Sequence, residues 1–254
     1  MKELIPVLDA GNSHIKGHRV PEGGGLPDWS RGFDSSVAPG PGEPGVLRFP
    51  TADVLAYPDD LWARLAGQEI PVLVSVIPAF TEIFRGRFPA GQVVGQVPDL
   101  PFPHDLRNPE TVGPDRWINV AAAVGAGLRD ALIVDAGTAT TVDLLLAGRF
   151  AGGLIAPGMA LAARCLAEHG AMLPATGFAP QPADVGMDTA EALQRGAWLA
   201  GIGGVEGMLG RLMEKHGPLP VVLTGGLGHH LQVEGRHLDA LWTARGAAWW
   251  AAHI

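Results

Sequence analysis

Apolar residues fall in two kinds of run along this chain. Short, nearly continuous runs of strand length occur at Ile5–Asp9, at Pro71–Pro78 (PVLVSVIP), before Asp135, and at Pro220–Gly226. Runs of this length bounded by glycine, proline or a polar turn read as buried strands. His14–Val20 follows a turn at Gly11-Asn12 and is expected to return beside the first strand. Gln92–Val97 is expected to be a further strand, and Pro21–Gly45 a long loop with room for one irregular edge strand.

The other runs have helical spacing. Val54, Leu55, Leu61 and Leu65 predict a helix over Asp53–Leu65, with Pro58 as a break or a start. Helices are likewise expected at Phe80–Phe88, in the alanine-rich Trp117–Leu128 and at Met159–His169. A long glycine-containing helix should follow Asp188-Thr189, with Thr189 as its N-cap. Gly201, Gly203, Gly204 and Gly207 weaken that helix, which suggests close contact with another helix or a nucleotide. Trp242, Trp249 and Trp250 at helical spacing suit core or a subunit contact.

Two of the strands end alike. Ile5–Ser13 reads IPVLDAGNS and Leu132–Thr140 reads LIVDAGTAT, about half the chain apart. Asp-x-Gly at one strand end is an ordinary turn. Its recurrence after similar apolar runs predicts two related halves, each opening on a strand and a sharp turn. Such a tip can present a carboxylate, Asp9 or Asp135, while the glycine lets a phosphate approach the following backbone N–H groups.

With 47% hydrophobic residues the chain has ample material for a core. The net charge of −8 argues against broad capture of nucleic acid or an anionic membrane, so an anionic substrate has to be held by local donors or metal. Cys165 is the only cysteine; it excludes an internal disulfide, fits a reducing compartment, and is expected to be a small core residue. The apolar run near the N-terminus is too short for a signal peptide or a membrane span, and a cytoplasmic protein is expected.

Gly113-Pro114-Asp115-Arg116 stands at the mouth of the alanine-rich helix. By itself this is an acidic residue favoured by the helix dipole, followed by a solvated arginine. Gly152-Gly153 and Pro157-Gly158 lead into the next helix, and glycines at a helix entrance allow a phosphate or sugar close to the backbone.

In this order, Asp9-Ala-Gly-Asn, Gly113-Pro-Asp-Arg116, Asp135-Ala-Gly-Thr138, Gly152–Gly158, Asp188-Thr189 and Thr224-Gly-Gly226 resemble the type III pantothenate kinases over nearly the whole length. The resemblance implies an α/β fold of two ribonuclease-H-like halves around a cleft, as in acetate and sugar kinases, the seventy-kilodalton chaperone ATPase and actin. The halves are expected at residues 1–116 and 117–254. It implies transfer of a phosphoryl group from ATP to pantothenate, a homodimer, Mg²⁺, and a monovalent cation, K⁺ or NH₄⁺. Asp115 would be the general base, and Gly113, Pro114, Asp115, Arg116 and Thr189 would hold pantothenate, Arg116 taking its carboxylate. Asp9, Ala10, Gly11, Asn12, Ser13, His14, Ile15 and Lys16 would form the first phosphate loop, with Thr138 in the second. Asp9 would hold Mg²⁺ through water and Asp135 the monovalent cation.

The family's pattern has a tyrosine where this chain has Leu106, which bears on how pantothenate is held rather than on the type of reaction. Two other functions compete. One is another kinase of the same fold acting on a sugar or a short acid, and a hexose kinase would place several Asp, Asn, Glu or His side chains around the hydroxyls of its substrate. An accessory factor for transcription would bind ATP without turnover.

Overall fold

The computed structural model describes residues 4–36, 43–65, 71–97, 100–170, 172–175, 178 and 185–254. The first strand, β1 (Leu4–Ala10), pairs antiparallel with β2 (His14–Pro21), which pairs antiparallel with β3 (Glu43–Pro50). Helices α1 (Thr51–Ala56) and α2 (Pro58–Leu65) carry the chain to β4 (Val72–Ser75), parallel to β1. Helix α3 (Pro78–Arg87) leads to a two-residue β5 (Gln92–Val93), and α4 (Pro114–Gly125) follows.

The second series repeats the first. Strands β6 (Ala131–Ala136), β7 (Ala139–Leu146) and β8 (Arg149–Pro157) form an antiparallel meander. Helices α5 (Met159–His169) and α6 (Thr189–His216) lead to β9 (Val221–Thr224), parallel to β6. A short 3₁₀ turn precedes β10 (Arg236–Leu238), and α7 (Trp242–Ala251) follows. The sheets run β3-β2-β1-β4-β5 and β8-β7-β6-β9-β10, with the same order and strand directions in each. The repeated strand ends predict two related halves, and these have the duplicated ribonuclease-H-like architecture that the resemblance implies. By element order one unit is β1–α4 and the other β6–α7, so the 116/117 junction lies inside α4.

Helices α4 and α7 tie the two units together. They pack on each other; α7 also lies on β1, β2 and β4, and α4 on β4, β6 and β7. Trp117, Ile118, Trp242 and Trp250 are fully buried between the sheets, in one core that also takes Val7, Val74, Ile133 and Val222. Side chains of this size anchor a core through their buried area. The backbones come close at Gly246, where a Cβ would run into the carbonyl oxygen of Ile118. Trp242 and Trp250 are therefore core, whereas Trp249 is only partly buried.

The proline- and glycine-rich stretch after β2 has a structural role within this core. Trp29 is buried against Phe33, His237 and Trp242. Arg245, itself buried, donates through Nε to Asp239 Oδ2 at 2.8 Å and through Nη1 to the carbonyl of Gly24 at 3.3 Å. Residues 37–42 of the expected loop lie outside the described residues, and its last three residues are the start of β3.

Several local expectations are corrected. Cys165 is exposed, because α5 buries only the face carrying Met159 and Ala163. Asp188, not Thr189, caps α6: its Oδ1 accepts from the N–H of Glu191 at 2.8 Å, and the Glu191 carboxylate reaches back to Met187 N, so Thr189 becomes the first helical residue. Of the α6 glycines, Gly201 faces Met159 closely, while Gly203, Gly204 and Gly207 face open space. The expected strand over 92–97 is confined to Gln92–Val93.

Removing one partner of a buried pair leaves an uncompensated charge. Asp239→Ala is expected to lower the free energy of unfolding by about 3–5 kcal/mol, read from the urea midpoint. A change within about 0.5 kcal/mol would mean that the pair does not fasten α7.

Candidate active site

The repeated topology brings the two strand ends together. Asp9 is the penultimate residue of β1 and Asp135 of β6; Asp9 pairs in register with Lys16 and Val74, Asp135 with Thr141 and Thr224. After each aspartate comes a tight turn, four residues long in the first unit and three in the second. Gly11 N–H donates to His14 O at 3.0 Å, and Gly137 N–H to Ala139 O at 3.0 Å. The turns meet across the cleft, where the Ser13 and Thr138 hydroxyls are 2.8 Å apart.

A cavity of about 480 Å³ lies between them. Of the residues singled out from sequence, Asp9, Gly11, Asn12, Ser13, His14, Lys16, Asp115, Asp135 and Thr138 line it. Ala10 and Ile15 point into the core of the first sheet. Gly113, Pro114 and Arg116 sit just behind Asp115, and Thr189, exposed at the start of α6, does not line the cavity. Arg48, Thr141, Arg164 and Thr243 also line it, and nothing in their local sequence marked them. Leu106 packs against the central core instead.

Glycines make the close approaches possible. Gly158 donates its N–H to Thr138 O at 3.1 Å, and a Cβ there would strike the carbonyls of Gly137 and Thr138. Gly225 has φ +84°, and a Cβ there would strike Asp135 Oδ1. Side chains at either place would push the second turn out of the cleft.

Asp115 lies in the first turn of α4 and accepts the Arg116 N–H on Oδ1 at 2.9 Å. Its carboxyl is raised above the usual range, chiefly by burial and further by Asp9, with Arg116 opposing. Asp9 is raised by burial, and Lys16 Nζ, 3.8 Å from Oδ2, opposes that. Asp135 is pushed up to about 6 by burial and by the charges of Asp115 and Asp9. Asn119 donates to Asp135 Oδ2 at 3.2 Å and accepts from the Thr243 hydroxyl at 2.8 Å, which fixes the orientation of that carboxylate.

Arg116 is not a solvated side chain. Its Nε and Nη2 donate to Asp143 Oδ1 at 2.8 and 2.5 Å, with the arginine side chain 13% exposed and the aspartate 1%. Asp143 is raised by burial and by Asp115 and Asp135, against the pull of Arg116.

The donor set is carboxylate and hydroxyl oxygen plus turn N–H groups, with Lys16 as a counter-charge. Such a set suits a hard cation shared with phosphate oxygens. Among the described residues no group of three or more His, Cys, Asp or Glu side chains is placed to hold a metal by itself. A cation here would therefore draw part of its coordination from a phosphate or from water.

Comparison with known proteins gives the site its context. The family model for type III pantothenate kinase matches residues 61–211. A type III pantothenate kinase from Moorella thermoacetica is 36% identical over 177 residues, covering 66% of this chain and 69% of the relative. One from Hyphomonas neptunium is 38% identical over 136 residues, 53% of each chain. The chain thus spans about half the length of several curated relatives that it matches. Among solved structures, a Campylobacter jejuni protein described as a Baf family transcriptional activator has a TM-score of 0.57 at 18% identity, covering 95% of this chain and 94% of that one. A ROK family glucokinase from Streptomyces griseus has a TM-score of 0.50 at 11% identity, covering 98% of each. These two likenesses establish the fold alone.

The cluster carries a pH prediction. Asp135 binds a proton more tightly folded than unfolded, so its contribution to stability is full below about pH 4 and is lost as pH rises through 6. Asp135→Asn, without ATP or added cations, should therefore stabilise the protein by roughly 1–3 kcal/mol at about pH 8 and by little at about pH 4. Thermal unfolding at both values is the check, and an equal gain at both would contradict the assignment.

Proposed function

Since the chain belongs to the type III pantothenate kinase family, we propose that it transfers the γ-phosphoryl group of ATP to the primary 4′-hydroxyl of pantothenate, the first step towards coenzyme A. The observation that supports this most is the meeting of Asp115 with the two strand-end turns in one cleft. Phosphoryl transfer asks mainly for positioning and for charge compensation around the transferred group. Turn N–H groups from both units, the Ser13 and Thr138 hydroxyls and Lys16 are suited to the ATP phosphates.

Asp115 takes the proton of the acceptor hydroxyl. A carboxyl raised by burial and by neighbouring charge is a better base than a free one, and the start of α4 aims it into the cleft. Arg116 receives the carboxylate of pantothenate through the N–H groups that Asp143 leaves open, and a planar fork of donors is apt for a carboxylate. Gly113 leaves room for Asp115: a Cβ at 113 would lie 2.5 Å from Asp115 Oδ1.

Two cations fit the negative charge of the site. Mg²⁺ held by Asp9 through water, and K⁺ or NH₄⁺ at Asp135, would offset phosphate charge beside the aspartates. Ala10 and Ile15 contribute backbone only, since their side chains face the core. The working form is a cytoplasmic homodimer. Thr189, outside the cleft of its own chain, takes part in substrate binding only through that assembly.

Coupled measurement of ADP release with ATP, Mg²⁺, K⁺ and pantothenate tests this reading. Asp115→Asn should lower kcat by roughly 10²–10⁴-fold with ATP affinity nearly unchanged; unaltered turnover would remove Asp115 from the chemistry. Asp135→Ala should abolish the stimulation by K⁺ together with most activity. Retained stimulation would put the ion elsewhere.

A further inference from the structure

The Arg116 side chain is confined on several sides. Both Nε and Nη2 donate to a single oxygen, Asp143 Oδ1. The guanidinium carbon lies 5.6 Å from the centroid of the Phe150 ring. Gly153, opposite Asp143 across β7 and β8, leaves the space, since a Cβ there would lie 2.5 Å from Asp143 Oδ1 and 2.6 Å from Arg116 Nη2.

This pair is poorly arranged for stability alone. Among the described residues, buried Asp143 Oδ2 has no hydrogen-bond partner, and neither has Oγ1 of Thr141, two residues along the same strand and at the cleft wall. A buried ion pair offsets its desolvation only when the remaining lone pairs are satisfied, and here one oxygen is not. Among the described residues, Arg116 Nη1 has no hydrogen-bond acceptor. One edge of the fork is clamped, and the N–H groups of Nη1 and the second one of Nη2 are left over.

Resting on the reading that Arg116 receives the carboxylate of the acceptor, we propose that Asp143 is a positioning residue. It fixes the guanidinium plane for that contact, and so sets the preference for an acid acceptor over its neutral counterpart. The clamp acts on binding of the carboxylate, not on the proton taken by Asp115.

The test compares pantothenate with pantothenyl alcohol, in which a CH₂OH group replaces the carboxylate, using wild type, Asp143→Ser and Asp143→Asn. Misplacing a positioning group costs on the order of 10–100-fold. Asp143→Ser should raise KM for pantothenate by about that factor, and leave kcat, KM for ATP and kcat/KM for the alcohol within about threefold. Asp143→Asn, which keeps an oxygen for Arg116, should restore most of the preference for the acid. If the serine variant does not fold, Asp143→Glu makes the same test, because its extra methylene moves the anchoring oxygen and should also erode that preference. A parallel loss with both acceptors, or an unchanged acid-to-alcohol ratio, overturns this role for Asp143. Wild-type protein that phosphorylates neither acceptor overturns the underlying reading instead.

Discussion

The burial of three neighbouring carboxylates is the constraint on which the cleft depends. Asp9, Asp115 and Asp135 are each raised above the ordinary range, chiefly by burial; Asp9 further raises Asp115, and Asp115 and Asp9 further raise Asp135. A chain gathers such groups only when the rest of the fold holds them there. Two of them stand at matching ends of parallel-paired central strands, and the third at the start of the helix joining the two units. The packing of α4 and α7 across both sheets is what keeps these supports in place.

That arrangement links fold to chemistry. A negatively charged pocket is poor at holding ATP unless cations and oriented N–H groups offset the charge, and the paired turns with Lys16 supply the protein's share. The same field that disfavours ionised aspartates in the ligand-free protein raises the basicity of Asp115. Asn119 and Asp143 extend the design outward: one fixes the orientation of Asp135, the other that of Arg116.

The strand ends were legible in the sequence because duplication leaves a local trace: an apolar run, an aspartate and a glycine, twice. The helix starting near Gly113 was legible for a similar reason, since proline and an acidic residue mark a first turn. Asn119 and Asp143 were not, because an asparagine inside a helix and an aspartate inside a strand acquire their roles only from partners brought by the fold. Cys165 was misread as core because an apolar sequence context cannot tell which face of α5 is covered. At the start of α6 two residues able to cap stand side by side, and only the Glu191 contacts decide for Asp188. Arg116, solvated by its local sequence context, is buried by residues 27 or more positions away.

The coupling between carboxylates is open to direct measurement by a double-mutant cycle on Asp115→Asn and Asp135→Asn, read from urea unfolding of the ligand-free protein at about pH 8. If the two charges share one field, each substitution relieves the same repulsion. The double variant should then gain less than the sum of the single gains, by at least about 0.5 kcal/mol. Strict additivity would mean that the aspartates do not feel one another, and would contradict the account of the cleft as one electrostatic unit.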